Sequence, residues 1–248
     1  MLFRSDKEEL TDIQVSKLKE YVLRHTSYNP KLLTNSTKSD LVKIYAWEMY
    51  GKTSVGISSY ENMSTEKGTI AEGESIRLLS QIDGVNYKKN KRRYYNRYIM
   101  GIPDIVFSKS GVRKVIDVKS SLDINTFLCK VDSELSIDYL YQMKGYLELT
   151  NADSGEVCFC LVNMPPAIIE QEIKKIKAKY YLYGKSDDET KARIIQLQNS
   201  MIFDDIPPER RIIRFPVTRD SDFMANVYER VKVVRAWVKD FHAKHINI

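Results

Sequence analysis

Residues 102–119 read IPDIVFSKSGVRKVIDVK, and no other stretch constrains the fold as tightly. Two runs rich in β-branched and aromatic residues, 102–108 and 112–119, flank the turn-forming SKSG of 108–111, which predicts a β-hairpin. Alternate side chains of a strand share a face. Asp117 and Lys119 therefore point one way, and Ile116 and Val118 point the other, into a packed side. Hairpin pairing brings Asp104, at the start of the first run, beside Asp117. Two carboxylates and an ammonium on one sheet face make a poor hydrophobic core. They suit a hard divalent cation, which takes oxygen ligands. The lysine can then orient or deprotonate a water, or steady charge growing on a phosphate.

The remaining pattern builds an α/β fold with a mixed central sheet around this hairpin. A β-like run at 93–100 precedes it, GEVCFCLVNMP (155–165) reads as a buried strand, and 211–217 reads as another. Helical spacing covers 7–26, with Leu10, Ile13, Leu18 and Tyr21 on the apolar stripe, then 36–51, 65–82, 134–149, 166–182, 187–200 and 221–244. No internal repeat and no Gly/Ser/Pro linker interrupts the chain. This predicts one domain over 1–248, with a core at about 64–165 and helical elaborations at 1–60 and 166–248. A 43% hydrophobic content is enough for a sizeable core and excludes disorder. The longest purely apolar run, Val157 to Val162, is far shorter than the roughly 20 residues of a bilayer span. The opening MLFRSDKEEL is charged from its fourth residue and predicts no secretory signal. Cys129, Cys158 and Cys160 form no disulfide framework, which predicts a reducing compartment, the cytoplasm.

The charge is concentrated. KKNKRRYYNRY (88–98) holds Lys88, Lys89, Lys91, Arg92, Arg93 and Arg97 and no acid. These six bases equal the net charge of +6 of the whole chain. Such a cluster meets phosphate backbones, and the interleaved Tyr94, Tyr95 and Tyr98 can stack on bases. The plainer reading is a solvated hairpin tip.

Other residues extend the constellation. GTIAE (68–72) opens the helix at 65–82, where Glu72 shares a stripe with Gly68, Ile76 and Leu79 and so faces inward. An unpaired inward acid is costly, and a metal ion would satisfy it. Its rival Glu74 falls beside Arg77 and Leu78 and reads as half of a surface pair. Tyr139, Gln142 and Tyr146 lie at i, i+3 and i+7 on one helix face, where packing on the sheet is the alternative to a site role. Ser120 and Ser121 could touch phosphate or cap a strand end. AWEMYGKT (46–53) is close to a phosphate-cradling loop, but its bulky residues end a helix, so no nucleotide site is expected. His242 and His245 lack a third metal ligand nearby.

Taken together, GTIAE (68–72), GIPD (101–104), DVK (117–119) and YLYQMKGY (139–146) resemble the PD-(D/E)XK nuclease superfamily, with its restriction-endonuclease-like core. Within it they resemble the phage-type exonucleases related to lambda exonuclease and the YqaJ group, and more distantly RecB and Cas4 nuclease domains. The resemblance covers roughly residues 64–165. It implies that Glu72, Asp104 and Asp117, with the Val118 carbonyl, bind Mg2+ or Mn2+. It implies Lys119 as the catalytic lysine and Gln142 as the active-site glutamine, supported by Tyr146. The implied activity is a metal-dependent DNA exonuclease acting at ends of double-stranded DNA, in phage or prokaryotic recombination, replication or repair. An endonuclease of the same superfamily and an inactive DNA-binding relative are the alternatives. DNA is the implied partner. A strand-annealing recombination protein and a homo-oligomeric ring are family-level expectations, as is a bacterial or infected host cell. Cas4-like relatives use four cysteines for an iron–sulfur cluster; three cysteines without that spacing predict none.

Overall fold

A computed structural model describes residues 32–51, 63–109 and 111–245. The helix expected over 7–26 lies outside the described residues. The chain divides into two compact units, Met1–Ser54 with Ala225–Ile248, and Val55–Met224. In the smaller unit, helix α1 (Asn35–Tyr50) ends at Gly51, whose φ of +62° closes the helix without side-chain strain. Tyr45 of α1 packs edge-on against Phe241, and its hydroxyl lies 2.7 Å from His242 Nδ1. That bond occupies His242.

The larger unit carries a four-stranded sheet in the order β3-β4-β5-β6. Helix α2 (Met63–Asp83) leads into β1 (Tyr94–Tyr95), β2 (Met100–Gly101), β3 (Ile105–Lys109) and β4 (Val112–Ser120). Then come the short α3 (Ile124–Leu128), α4 (Ile137–Thr150), β5 (Ser154–Cys160), α5 (Pro166–Leu182) and α6 (Asp187–Met201). A 3-10 turn (Pro208–Arg211), β6 (Ile212–Thr218) and α7 (Ser221–His245) complete the chain. Strands β3 and β4 pair antiparallel, β4 and β5 parallel, and β5 and β6 antiparallel, so the sheet is mixed as the sequence predicts. The parallel step needs a crossover, and α3 with α4 supplies it. Among the described residues no helix is long and apolar enough to cross a membrane.

Both sheet faces are covered. On one, Ile116, Val118, Cys158 and Cys160 pack with Ala71, Ile76 and Leu79 of α2. On the other, Val115, Val157 and Phe159 pack with Met143 and Leu147 of α4. Cys158 and Cys160 are thus core residues without a disulfide. Asp117 and Lys119 share the α4 face with Val115.

Two boundaries differ from the sequence reading. GTIAE does not open its helix, because α2 starts at Met63 and Gly68 sits in its second turn. The run 93–100 is not one strand. The Asn96 side chain accepts hydrogen bonds from the Tyr98 and Ile99 amides, and Asn96 N–H donates to the Ile99 carbonyl. This turn splits the run into β1 and β2, a separate two-stranded ribbon.

Candidate active site

The β3–β4 ladder pairs Ile105 with Ile116. Continued by one residue, it sets Asp104 opposite Asp117. The Val118 N–H donates to Asp104 Oδ2 at 2.7 Å, which fixes that carboxylate against β4. Burial, and then the Asp117 carboxylate, push the Asp104 pKa up to about 7.

Lys119 Nζ lies 2.8 Å from Asp117 Oδ2, 3.4 Å from Gln142 Oε1 and 4.9 Å from the Tyr139 ring centroid. Gln142 Nε2 donates to the Tyr146 hydroxyl at 3.0 Å. The i, i+3, i+7 face of α4 thus delivers Tyr139 and Gln142 to one lysine and Tyr146 to Gln142. Burial alone would lower the Lys119 pKa, but Asp117 and Asp104 outweigh it and hold the group above the usual lysine value. In this arrangement Lys119 is an ammonium. The close packing here explains Gly101, since a methyl at that position would sit 2.5 Å from Tyr146 Cε1.

Glu72 Oε2 pairs with Lys89 Nζ at 2.5 Å. Its rival Glu74 pairs with Arg77 on the exposed surface, as the sequence spacing predicts. Glu72 lines an open cleft of about 460 Å3 together with Gly68, Asp104, Val118, Lys119, Ser120, Ser121, Thr126, Lys130 and Tyr139. Ser75 of α2 meets Ser120 at 2.8 Å and ties α2 to the end of β4.

Among the described residues, two carboxylate oxygens are buried without a hydrogen bond, Glu72 Oε1 and Asp117 Oδ2. The Lys119 ammonium is within ion-pairing distance of the second but outside hydrogen-bond geometry. Buried acceptors left in this state cost free energy, and hard oxygens of this kind are what a divalent cation binds. The donor chemistry therefore fits Mg2+ or Mn2+. Among the described residues, however, no three Asp, Glu, His or Cys side chains converge closely enough to hold a metal ion as they stand.

The basic segment 88–98 runs beside the cleft. Lys88, Lys91, Arg92 and Arg93 are exposed, as is Arg97, and Arg92 stacks on the Tyr94 ring at 5.0 Å. Lys89 differs from the others because Glu72 engages it. Asn90 fastens the segment to the site: its N–H donates to the Asp104 carbonyl at 2.6 Å and its side chain to the Pro103 carbonyl at 2.8 Å. No sequence signal marks Asn90.

Sequence reasoning also missed Lys67. It is fully buried, and its ammonium donates to the carbonyls of Ser121, Leu122 and Val162 at 2.7, 3.0 and 2.8 Å. Burial lowers its pKa to about 8, against an opposing pull from Asp123. Lys67 thereby joins the chain just beyond β4 to the chain just beyond β5 and anchors one side of the cleft. It stands immediately before GTIAE, which is the only hint the sequence offers.

No protein-family model matches the sequence, and no curated protein matches it. Solved structures do. A phage-related exonuclease from Haemophilus somnus 129PT is 24% identical over 86% of each chain, with a TM-score of 0.63. An alkaline exonuclease from Laribacter hongkongensis is 12% identical over 87% of this chain and 90% of that one, with a TM-score of 0.54. The same enzyme in complex with dAMP gives 11%, 87%, 88% and 0.54. The chain has the mixed α/β fold of these exonucleases, which is the fold implied by the resemblance in its sequence.

Proposed function

We propose that the chain is a metal-dependent deoxyribonuclease that hydrolyses phosphodiester bonds from the ends of linear duplex DNA. One observation carries this reading. Two buried carboxylate oxygens without a hydrogen bond, Glu72 Oε1 and the ion-paired Asp117 Oδ2, stand with the Asp104 carboxylate of raised pKa near a lysine held by Asp117, Gln142 and Tyr139. The likeness in fold to exonucleases supports the choice of substrate. Burying so much charge serves no packing purpose, and a carboxylate perturbed as Asp104 is, in a cleft, marks a functional site.

Glu72, Asp104 and Asp117 would hold Mg2+ or Mn2+, with the Val118 carbonyl as a further ligand. When bound, the ion supplies Lewis-acid polarisation of the phosphate and a lowered pKa for the attacking water. The chain's own residues do the rest. Hydrolysis adds a water oxygen to phosphorus and breaks one P–O ester bond, with negative charge building on the phosphoryl oxygens. Lys119, kept protonated by its carboxylates, opposes that charge. Gln142 fixes the lysine, and Tyr146 fixes Gln142. The cationic segment 88–98 contacts backbone phosphates, which carry no base information directly. That favours progressive degradation over cutting at one sequence.

The test is the purified chain with Mn2+ on matched linear and covalently closed duplex. Progressive loss of the linear form with survival of the closed form is the expected result. Discrete bands from the closed form would make the chain an endonuclease, and no cleavage of either form would remove the nuclease reading.

A further inference from the structure

The cleft continues past the carboxylates, and the proposed chemistry leaves that part unused. One turn before Glu72 on α2, Gly68 lines it, and Leu122, Thr126, Lys130 and Phe159 line it from the chain beyond β4 and from β5. Lys67, next to Gly68, holds the Ser121 and Leu122 carbonyls, which sets this end of α2 against the exit of β4.

Two lysines stand here over neighbouring rings. Tyr139 and Phe159 meet edge-on with centroids 5.8 Å apart. Lys119 Nζ lies 4.9 Å from the first centroid, and Lys130 Nζ lies 5.3 Å from the second. Their electrostatic surroundings differ. Lys119 is ion-paired with Asp117. Lys130 forms no ion pair among the described residues, and its ammonium rests on the Phe159 ring. The acids that line the cleft are Glu72 and Asp104. Asp123 is engaged in capping α3, where it accepts from the Thr126 N–H at 2.8 Å, and Asp132 is exposed outside the cleft. The backbone beneath the ammonium is fixed. Lys130 N–H donates to the carbonyl of Phe127, which is buried against Leu161 and Phe203, and the Lys130 carbonyl accepts from the Ser133 hydroxyl at 3.2 Å. A cation held ready in this way loses little freedom on meeting an anion.

Gly68 points to the same use of the space. It sits inside α2, where glycine is destabilising relative to alanine. Packing does not call for it, since a methyl there would meet nothing within 4 Å, and no positive φ requires it. A side chain at this position would instead take up room in the cleft. A phosphodiester strand carries a phosphate at every nucleotide, so a strand with one phosphate at the carboxylates brings the next one along the cleft. We propose that the Gly68–Lys130 part of the cleft seats a second phosphate of the substrate strand, held by Lys130, and that the absent side chain of Gly68 lets the strand pass. This deepens the proposed function: it rests on the nucleic-acid reading of the site but not on cleavage.

Binding of a fluorescein-labelled linear duplex, read by anisotropy in EDTA across a salt series, tests it. Lys130→Met keeps an apolar stem on Phe159 and removes the charge. It should weaken binding by at least about tenfold, the scale of one lost charged hydrogen bond. It should also flatten the log–log salt slope by about 0.7–0.9 for the one phosphate given up. Lys130→Arg should restore both. Gly68→Leu should weaken binding while unfolding at a higher denaturant concentration than the parent. Gly73→Leu, on the exposed side of the same helix, should leave binding unchanged. Parent-like affinity and slope in Lys130→Met would overturn the proposal, as would parent-like affinity in Gly68→Leu. A parent protein that binds the duplex but releases no nucleotide with Mn2+ would fail the nuclease reading and leave the Lys130 assignment standing. Absence of duplex binding by the parent would overturn both.

Discussion

Asp104 Oδ2 accepts a hydrogen bond from the Val118 amide at 2.7 Å, although fourteen residues separate them in the chain. The bond locks a carboxylate at the mouth of one strand to the backbone between Asp117 and Lys119. Burial and Asp117 raise the Asp104 pKa from 3.8 to about 7. The folded chain then binds this proton more tightly than the unfolded chain does. The resulting stability is complete below the ordinary carboxylate pKa and is lost as pH rises through about 7. In the presence of a chelator, the melting temperature of the wild type should fall from pH 4 to 7 relative to that of Asp104→Asn. Parallel pH profiles for the two proteins would show that Asp104 titrates normally.

Lys119 is expected to act on the reacting phosphate and not on DNA affinity. Lys119→Met keeps an apolar stem beneath Tyr139 and removes the charge. Cleavage should slow by at least about a hundredfold, the usual scale for removal of a group that stabilises transition-state charge. DNA binding in EDTA should be retained. Cleavage at the wild-type rate would remove Lys119 from the chemistry.

The basic segment should govern salt dependence. Substituting Arg92, Arg93 and Arg97 with Ala should lower the log–log salt slope of duplex binding by about 0.9 for each phosphate that the segment neutralises through these side chains. An unchanged slope would assign the segment to solvent.

Much of this arrangement is legible in the sequence because it follows periodicity. The two-residue repeat of a strand puts Asp117 and Lys119 on one face, and the helical stripe of α4 gathers Tyr139, Gln142 and Tyr146. The Glu74–Arg77 pair follows from i, i+3 spacing alone. Pairings that depend on how distant segments meet are not legible. Lys89 on Glu72 joins the basic segment to α2, and Asn90 on Asp104 joins it to the hairpin. The division of 93–100 rests on one asparagine side chain folding back on its own backbone, a choice that β-propensity does not register. Lys67 reads as an ordinary surface lysine until the exits of β4 and β5 converge on it.

Lys67→Met should be destabilising for that reason. It leaves buried carbonyls of Ser121, Leu122 and Val162 without their donor, and an unpaired buried acceptor costs about 1–3 kcal/mol. Denaturant unfolding should show a loss of at least about 2 kcal/mol with an unchanged m-value. Wild-type stability would mean that other donors replace the ammonium.

The central claim is that the carboxylates of Glu72, Asp104 and Asp117 serve a divalent cation in phosphodiester hydrolysis. Its most direct test is nucleotide release from linear duplex DNA by thoroughly chelated protein, before and after addition of Mg2+ or Mn2+. The account predicts no release from the chelated protein and recovery on adding either ion, with no recovery in Asp117→Asn. Undiminished release after chelation would contradict it.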